Sequence, residues 1–217
     1  MADDVQQITR VAPHPQRSGM FVVERDGEPW LILSAARVAE LGIVAGERLT
    51  SERVAAIERA SVLDSAMDTA LRALAARPRS EAELARRLRQ KGLAEEIIAD
   101  VLARLRQLGY LDDRAFAEAW VAQRRRFNPR GAVALRRELR AKGVASDIID
   151  AVVGDEPEND LAAARAVAEK HWPRLQRLDR AVAERRLVGL LQRRGFSWAV
   201  IRQVVGHYVG GETALDE

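Results

Sequence analysis

Residues 84–93 read LARRLRQKGL, residues 135–144 read LRRELRAKGV and residues 187–196 read LVGLLQRRGF. In each stretch two leucines lie eight and four residues before a glycine, a cation precedes the glycine, and an apolar residue follows it. The match continues downstream as Ile97-Ile98-Val101-Leu102, Ile148-Ile149-Val152-Val153 and Val200-Ile201-Val204-Val205. Leucines four apart share one helix face. The glycine reads as the left-handed stop of that helix, with the cation at the negative end of the helix dipole. Repetition at about fifty residues marks an array of like modules. The expected fold is mainly α: a tandem, elongated array of three three-helix, helix-turn-helix-like modules. Each is too small to bury much surface alone and leans on its neighbours.

Ahead of the array the pattern changes. Met20–Val23 and Trp30–Leu33 flank Asp26-Gly27, a pair suited to positive φ, which predicts a β-hairpin. Short helical stretches around 35–41 and after Ser51 follow. Residues 1–18, with Pro13, Pro15 and little apolar content, are expected to be disordered. The chain thus divides into a disordered tail (1–18), a hairpin with short helices (19–61), modules at 62–113, 114–155 and 156–210, and a tail at 211–217. A helix over 65–76 stops before Pro78. Ser80 and Glu83 form a capping box, Asn128-Pro129 read as an N-cap with proline at the first helical position, and Ser197 caps the last helix.

The net charge of +3 conceals blocks of one sign. Residues 114–142 hold 9 basic and 2 acidic residues and residues 170–194 hold 8 and 2, whereas residues 143–169 hold 1 and 7. The densest block is Arg124, Arg125, Arg126, Arg130, Arg136, Arg137, Arg140 and Lys142. Helical spacing places Arg136, Arg137 and Arg140 on a side away from Leu135 and Leu139. Module one offers Arg86 and Arg89; module three offers Arg185, Arg186, Arg193 and Arg194. The planar guanidinium donates two parallel hydrogen bonds to phosphate or carboxylate. With few interleaved acids, these side chains form the candidate surface for a polyanionic or acidic partner. Phe127, set among the arginines, has two readings: a stacking surface for an unpaired base, or a buried core residue.

Catalytic chemistry is hard to place. The chain has no cysteine, hence no disulfide and no thiolate metal site. His14, His171 and His207 are scattered, and each of the three lysines is followed by glycine or histidine, which excludes a P-loop. Asp112-Asp113 reads either as a divalent-metal pair or, better, as a helix N-cap. No enzyme activity, cofactor or metal is expected. The absence of a signal-peptide core and of any membrane-length apolar run predicts a cytoplasmic protein with no membrane partner, and a monomer is expected.

Arg77-Pro-Arg79-Ser80-x-x-Glu83-Leu84, Lys91-Gly92, Leu108-Gly-Tyr-Leu-Asp-Asp113 with Phe116-Ala117, then Gly131 and Glu138-Leu139-x-x-Lys142-Gly143 follow in order. Together they closely resemble the RecX regulatory proteins, strongly over 62–155 and more loosely in the last module. The resemblance implies an all-helical, elongated regulator of the recombinase RecA, acting in homologous recombination, DNA repair and the SOS response. Such a protein binds the RecA–DNA filament, lies in its groove and inhibits ATP hydrolysis and strand exchange, meeting single-stranded DNA directly or through RecA. It carries over no catalytic residues. Two other classes stay open: a free-standing helix-turn-helix-like DNA-binding regulator, and an interaction scaffold for an acidic protein.

Overall fold

The computed structural model describes residues 6–154 and 157–210. Residues 1–5 of the expected leading tail, and the tail at 211–217, lie outside the described residues. Three strands, β1 (Ile8–Pro13), β2 (Met20–Arg25) and β3 (Glu28–Ser34), precede the helices. The helices are α1 (Ala35–Glu40), α2 (Ser51–Ala76), α3 (Glu81–Arg89), α4 (Glu95–Gln107), α5 (Asp113–Phe127), α6 (Ala132–Ala141), α7 (Ser146–Val153), α8 (Pro157–Leu175), α9 (Arg180–Arg193) and α10 (Trp198–Gly210). They gather into two units. One takes the chain up to Pro78 with Leu84–Tyr110; the other takes Arg79–Glu83 with the chain from Leu111 onward.

In the first unit the strands form one antiparallel sheet in the order β1-β2-β3. Asp26 and Gly27, at φ 52° and 88°, make the expected two-residue turn between Arg25 and Glu28. The strand before that hairpin corrects the reading of 1–18 as a disordered tail, because residues 8–13 pair with β2. Ile8 explains the difference: it is fully buried with Val23, Leu33, Ile43 and Ile57, and its N–H donates to the Glu47 carbonyl at 2.9 Å. Pro13 stands at the end of this edge strand, where a missing donor is tolerated.

The expected boundary at 61/62 is also corrected. α2 starts at the Thr50 cap and runs unbroken to Ala76, with Ile57 and Ala60 in the sheet's core and Ala66, Ala70 and Ala73 buried beyond it. Ser61 Oγ donates to the Ile32 carbonyl at 3.1 Å, and Ser34 N to the Asp64 carboxylate at 2.7 Å. One helix therefore serves both the sheet and α4, and no linker separates them.

In the second unit α5–α7 enclose Phe116, Val121, Leu135, Leu139 and Ile149, while α8–α10 enclose Leu187, Leu191, Phe196, Ile201 and Val204. Ser197 Oγ accepts the Val200 N–H at 3.4 Å, as its cap role requires. Asn128-Pro129 do not start a helix. Asn128 closes α5, and α6 begins at Ala132 behind Gly131. The cap comes from elsewhere: the Asp160 carboxylate on α8 accepts the Ala132 N–H at 2.9 Å.

That borrowed cap belongs to an arrangement that occurs twice. Ser80 Oγ donates to the Lys142 carbonyl at 2.5 Å, and Asp113 accepts the Glu81 N–H at 2.7 Å. One repeat later Gly131 N donates to the Arg194 carbonyl at 3.0 Å, beside the Asp160 cap on Ala132. In both places the turn after a middle helix lies against the start of the preceding middle helix. A Cβ on Gly143 would collide with Ala82, and one on Gly195 with Ala134. α9 is different, since its own Asp179 accepts the Ala181 and Val182 N–H groups.

Gly92, Gly143 and Gly195 have nearly the same φ, 78°, 80° and 79°, but only the last two are crowded. Alanine at Gly92 should cost about 1–2 kcal/mol of backbone strain. At Gly143 or Gly195 a further ~1–3 kcal/mol of overpacking is expected. Urea unfolding of the three variants checks the ordering, and equal losses would mean the turns stop helices and do nothing more.

Candidate partner-binding face

α6 buries Leu135 and Leu139 completely. On its other side Val133, Arg137 and Arg140 are exposed and recur at helical spacing. Neither Arg137 nor Arg140 has an ion-pair partner among the described residues. At the end of α5, Arg126 is exposed and its guanidinium lies 5.0 Å from the centre of the Phe127 ring, while Arg125 is half-buried.

The other cations of the block turn inward, correcting the reading of a surface with few acids. Glu138 Oε2 accepts Trp120 Nε1 at 2.9 Å and Arg124 Nε at 2.7 Å, and Arg130 Nε stands 3.8 Å from Oε1. The Arg124 guanidinium and Lys142 Nζ lie 4.3 and 4.0 Å from the Trp120 ring centre, an arrangement favoured by the negative face of the indole. Lys142 Nζ also donates to Glu83 at 3.1 Å. Arg136 does not share the fate of Arg137 and Arg140: it lies 3.5 Å from Asp150 and donates to the Gly154 carbonyl at 2.8 Å.

The remaining candidates divide in the same way. Arg194 is half-buried and donates to Asn128 Oδ1 at 3.1 Å and the Pro129 carbonyl at 3.2 Å. Burial, with the Arg130 charge behind it, holds its pKa below the ordinary arginine value. Arg185, Arg186 and Arg193 are exposed. On α3, Arg86 is exposed, and Arg89 makes a two-armed ion pair with Glu95 at 2.5 and 2.9 Å.

Asp112 and Asp113 act separately. Asp112 caps α5 through the Arg114 and Ala115 N–H groups, and Asp113 serves the start of α3. Burial pushes the Asp113 carboxyl above the ordinary range against the pull of that hydrogen bond, and Asp160 behaves alike. Among the described residues no group of three or more histidine, cysteine or carboxylate side chains is placed to hold a metal ion.

Three RecX domains match this chain in order: the first three-helix domain over residues 66–105, the second over 112–153 and the third over 158–205. The chain belongs to the RecX family. The regulatory protein RecX of Chlorobaculum tepidum is 39% identical over 155 residues, covering 70% of this chain and 94% of that protein. The one from Mycobacterium bovis is 43% identical over 143 residues, 62% of this chain and 80% of the relative. A crystal structure of regulatory protein RecX shares the fold at a TM-score of 0.77 and 23% identity, over 92% of this chain and 98% of that one. RecX from Lactobacillus salivarius does so at 0.62 and 21%, over 68% and 96%. Among the described residues no helix is long and apolar enough to cross a membrane.

The inward cations should matter for stability. Glu138→Ala leaves Trp120 Nε1 and Arg124 without their acceptor and should cost about 1–3 kcal/mol. Asp150→Ala removes a carboxylate whose side chain is 64% exposed and should cost less than about 1 kcal/mol. Thermal unfolding separates the two. A Glu138→Ala variant that melts no lower than Asp150→Ala would show that the Trp120–Glu138 group adds no more than an exposed ion pair.

Proposed function

We propose that this chain is a cytoplasmic, monomeric, non-enzymatic regulator that binds the RecA–DNA filament and inhibits ATP hydrolysis and strand exchange by RecA. The observation that carries this reading is the outward pair Arg137 and Arg140, held on a helix whose opposite side is buried and left without intrachain acids among the described residues. Two guanidiniums presented from a packed helix suit DNA phosphates or the carboxylates of a protein filament. Membership of a family whose relatives are named regulatory proteins supports the same reading. Regulation by occupancy needs no catalytic group on the chain.

A free-standing helix-turn-helix reader of duplex DNA is less well supported. In that motif the helix after the turn enters the major groove by its N-terminal residues. Here α4 begins with Glu95 and Glu96 and α7 carries Asp147 in its first turn, acids that phosphates repel. In module two the exposed Arg137 and Arg140 sit on the helix before the turn, and of the three helices that follow such turns only α10 lacks an acid in its first turn.

Hydrolysis of ATP by the cognate RecA on single-stranded DNA should slow when the chain is added. Arg137→Glu with Arg140→Glu should weaken that effect about tenfold or more at ~0.15 M salt and reduce the salt dependence of filament binding. Arg86→Glu with Arg89→Glu should do less, since Arg89 is already paired with Glu95. RecA hydrolysis that ignores the unaltered chain contradicts the proposal.

A further inference from the structure

Phe127 is 71% exposed, whereas Phe116 and Phe196 are buried in their module cores. It closes α5 immediately after Arg124-Arg125-Arg126, and the adjacent core cluster does not include it. The next exposed apolar side chain is Val133, 60% exposed, one helical turn before the exposed Arg137. No acid occurs between Arg124 and Arg137. An aromatic ring left in water among cations suits a ligand that offers a flat π-face together with negative charge. Unpaired nucleotides offer both, because every base has a π-face and every linkage a phosphate. Bases inside a duplex are already stacked and present only their edges in the grooves. An acidic protein surface would match the arginines but offers no comparable regular partner for the ring.

We propose that Phe127 is a stacking platform for an unpaired base of single-stranded DNA, with Arg126 and Arg137 holding phosphates of the same strand. This rests on the reading that the partner is a nucleoprotein filament, and it names the part of that partner which module two touches. Stacking and charge leave different signatures. Loss of a ring changes affinity without changing the number of counterions released, whereas loss of an arginine changes the salt slope.

The test is fluorescence anisotropy with the full chain and two labelled strands, an oligothymidylate and an abasic strand of equal length and charge. The unaltered chain should prefer the strand with bases. Phe127→Ala should lower affinity for that strand about fivefold or more, leave the abasic strand unaffected and keep the salt slope. Phe127→Trp should retain the preference, which separates stacking from damage to the fold. Equal binding of both strands by the unaltered chain overturns the proposal, as does a Phe127→Ala variant that keeps the preference or loses affinity for both strands alike. If the chain slows RecA hydrolysis but ignores bases, the stacking site falls and the regulatory reading stands. A base preference with no effect on RecA gives the opposite result.

Discussion

Two backbone turns approach the starts of helices so closely that no side-chain carbon fits between them, and much of the second unit follows from that contact. Gly143 lies against Ala82, and Gly195 against Ala134. At such a distance the first N–H groups of a helix depend on protein acceptors, since unsatisfied donors at a buried helix end are costly. Asp113 and Asp160 supply those acceptors, and the carbonyls of Lys142 and Arg194 receive a donor from the helix start they touch. The glycine and the cation before it therefore act together. The first permits approach; the second ties the approach down with both its carbonyl and its side chain.

Those ties sort the basic residues. Lys142 and Arg194 reach across to Glu83 and to Asn128, and Arg124 and Arg136 are held by Glu138 and Asp150. Each of these cations makes an intrachain contact that helps fix helix positions. Arg137 and Arg140 are left on the surface of a helix that the inward contacts hold in place. A partner that binds them does not have to order the backbone beneath, which lowers the entropic cost of association. The same charge block thus holds a module together and leaves an exposed basic face, and burial decides which residue belongs to which.

Much of this was legible in advance and some was not, for physical reasons. Asp26-Gly27 announced the hairpin because a two-residue turn requires positive φ at both positions and these two residues tolerate it, and the leucines announced the helices because their period is local. The strand at residues 8–13 was hidden because a single buried isoleucine anchors it, and one residue makes no pattern. Asn128-Pro129 resembled a helix start, yet the donor at Ala132 is satisfied from 28 residues away. Lys142 reaches Glu83, 59 residues earlier, although Glu138 lies four residues away on its own helix. A glycine that ends a helix and a glycine that admits a neighbour look alike in one sequence, since both needs are met by the missing Cβ.

The division of the arginines into inward and outward sets is most directly tested by modification with an arginine-selective dicarbonyl reagent, read residue by residue by mass spectrometry. The chain is labelled alone and again on RecA–single-stranded DNA filaments. Arg137 and Arg140 should react readily in the free chain and become protected on the filament, while Arg124, Arg136 and Arg194 react slowly in both states. Equal reactivity of Arg137 and Arg140 in the two states, or fast reaction of the inward three in the free chain, would contradict the account.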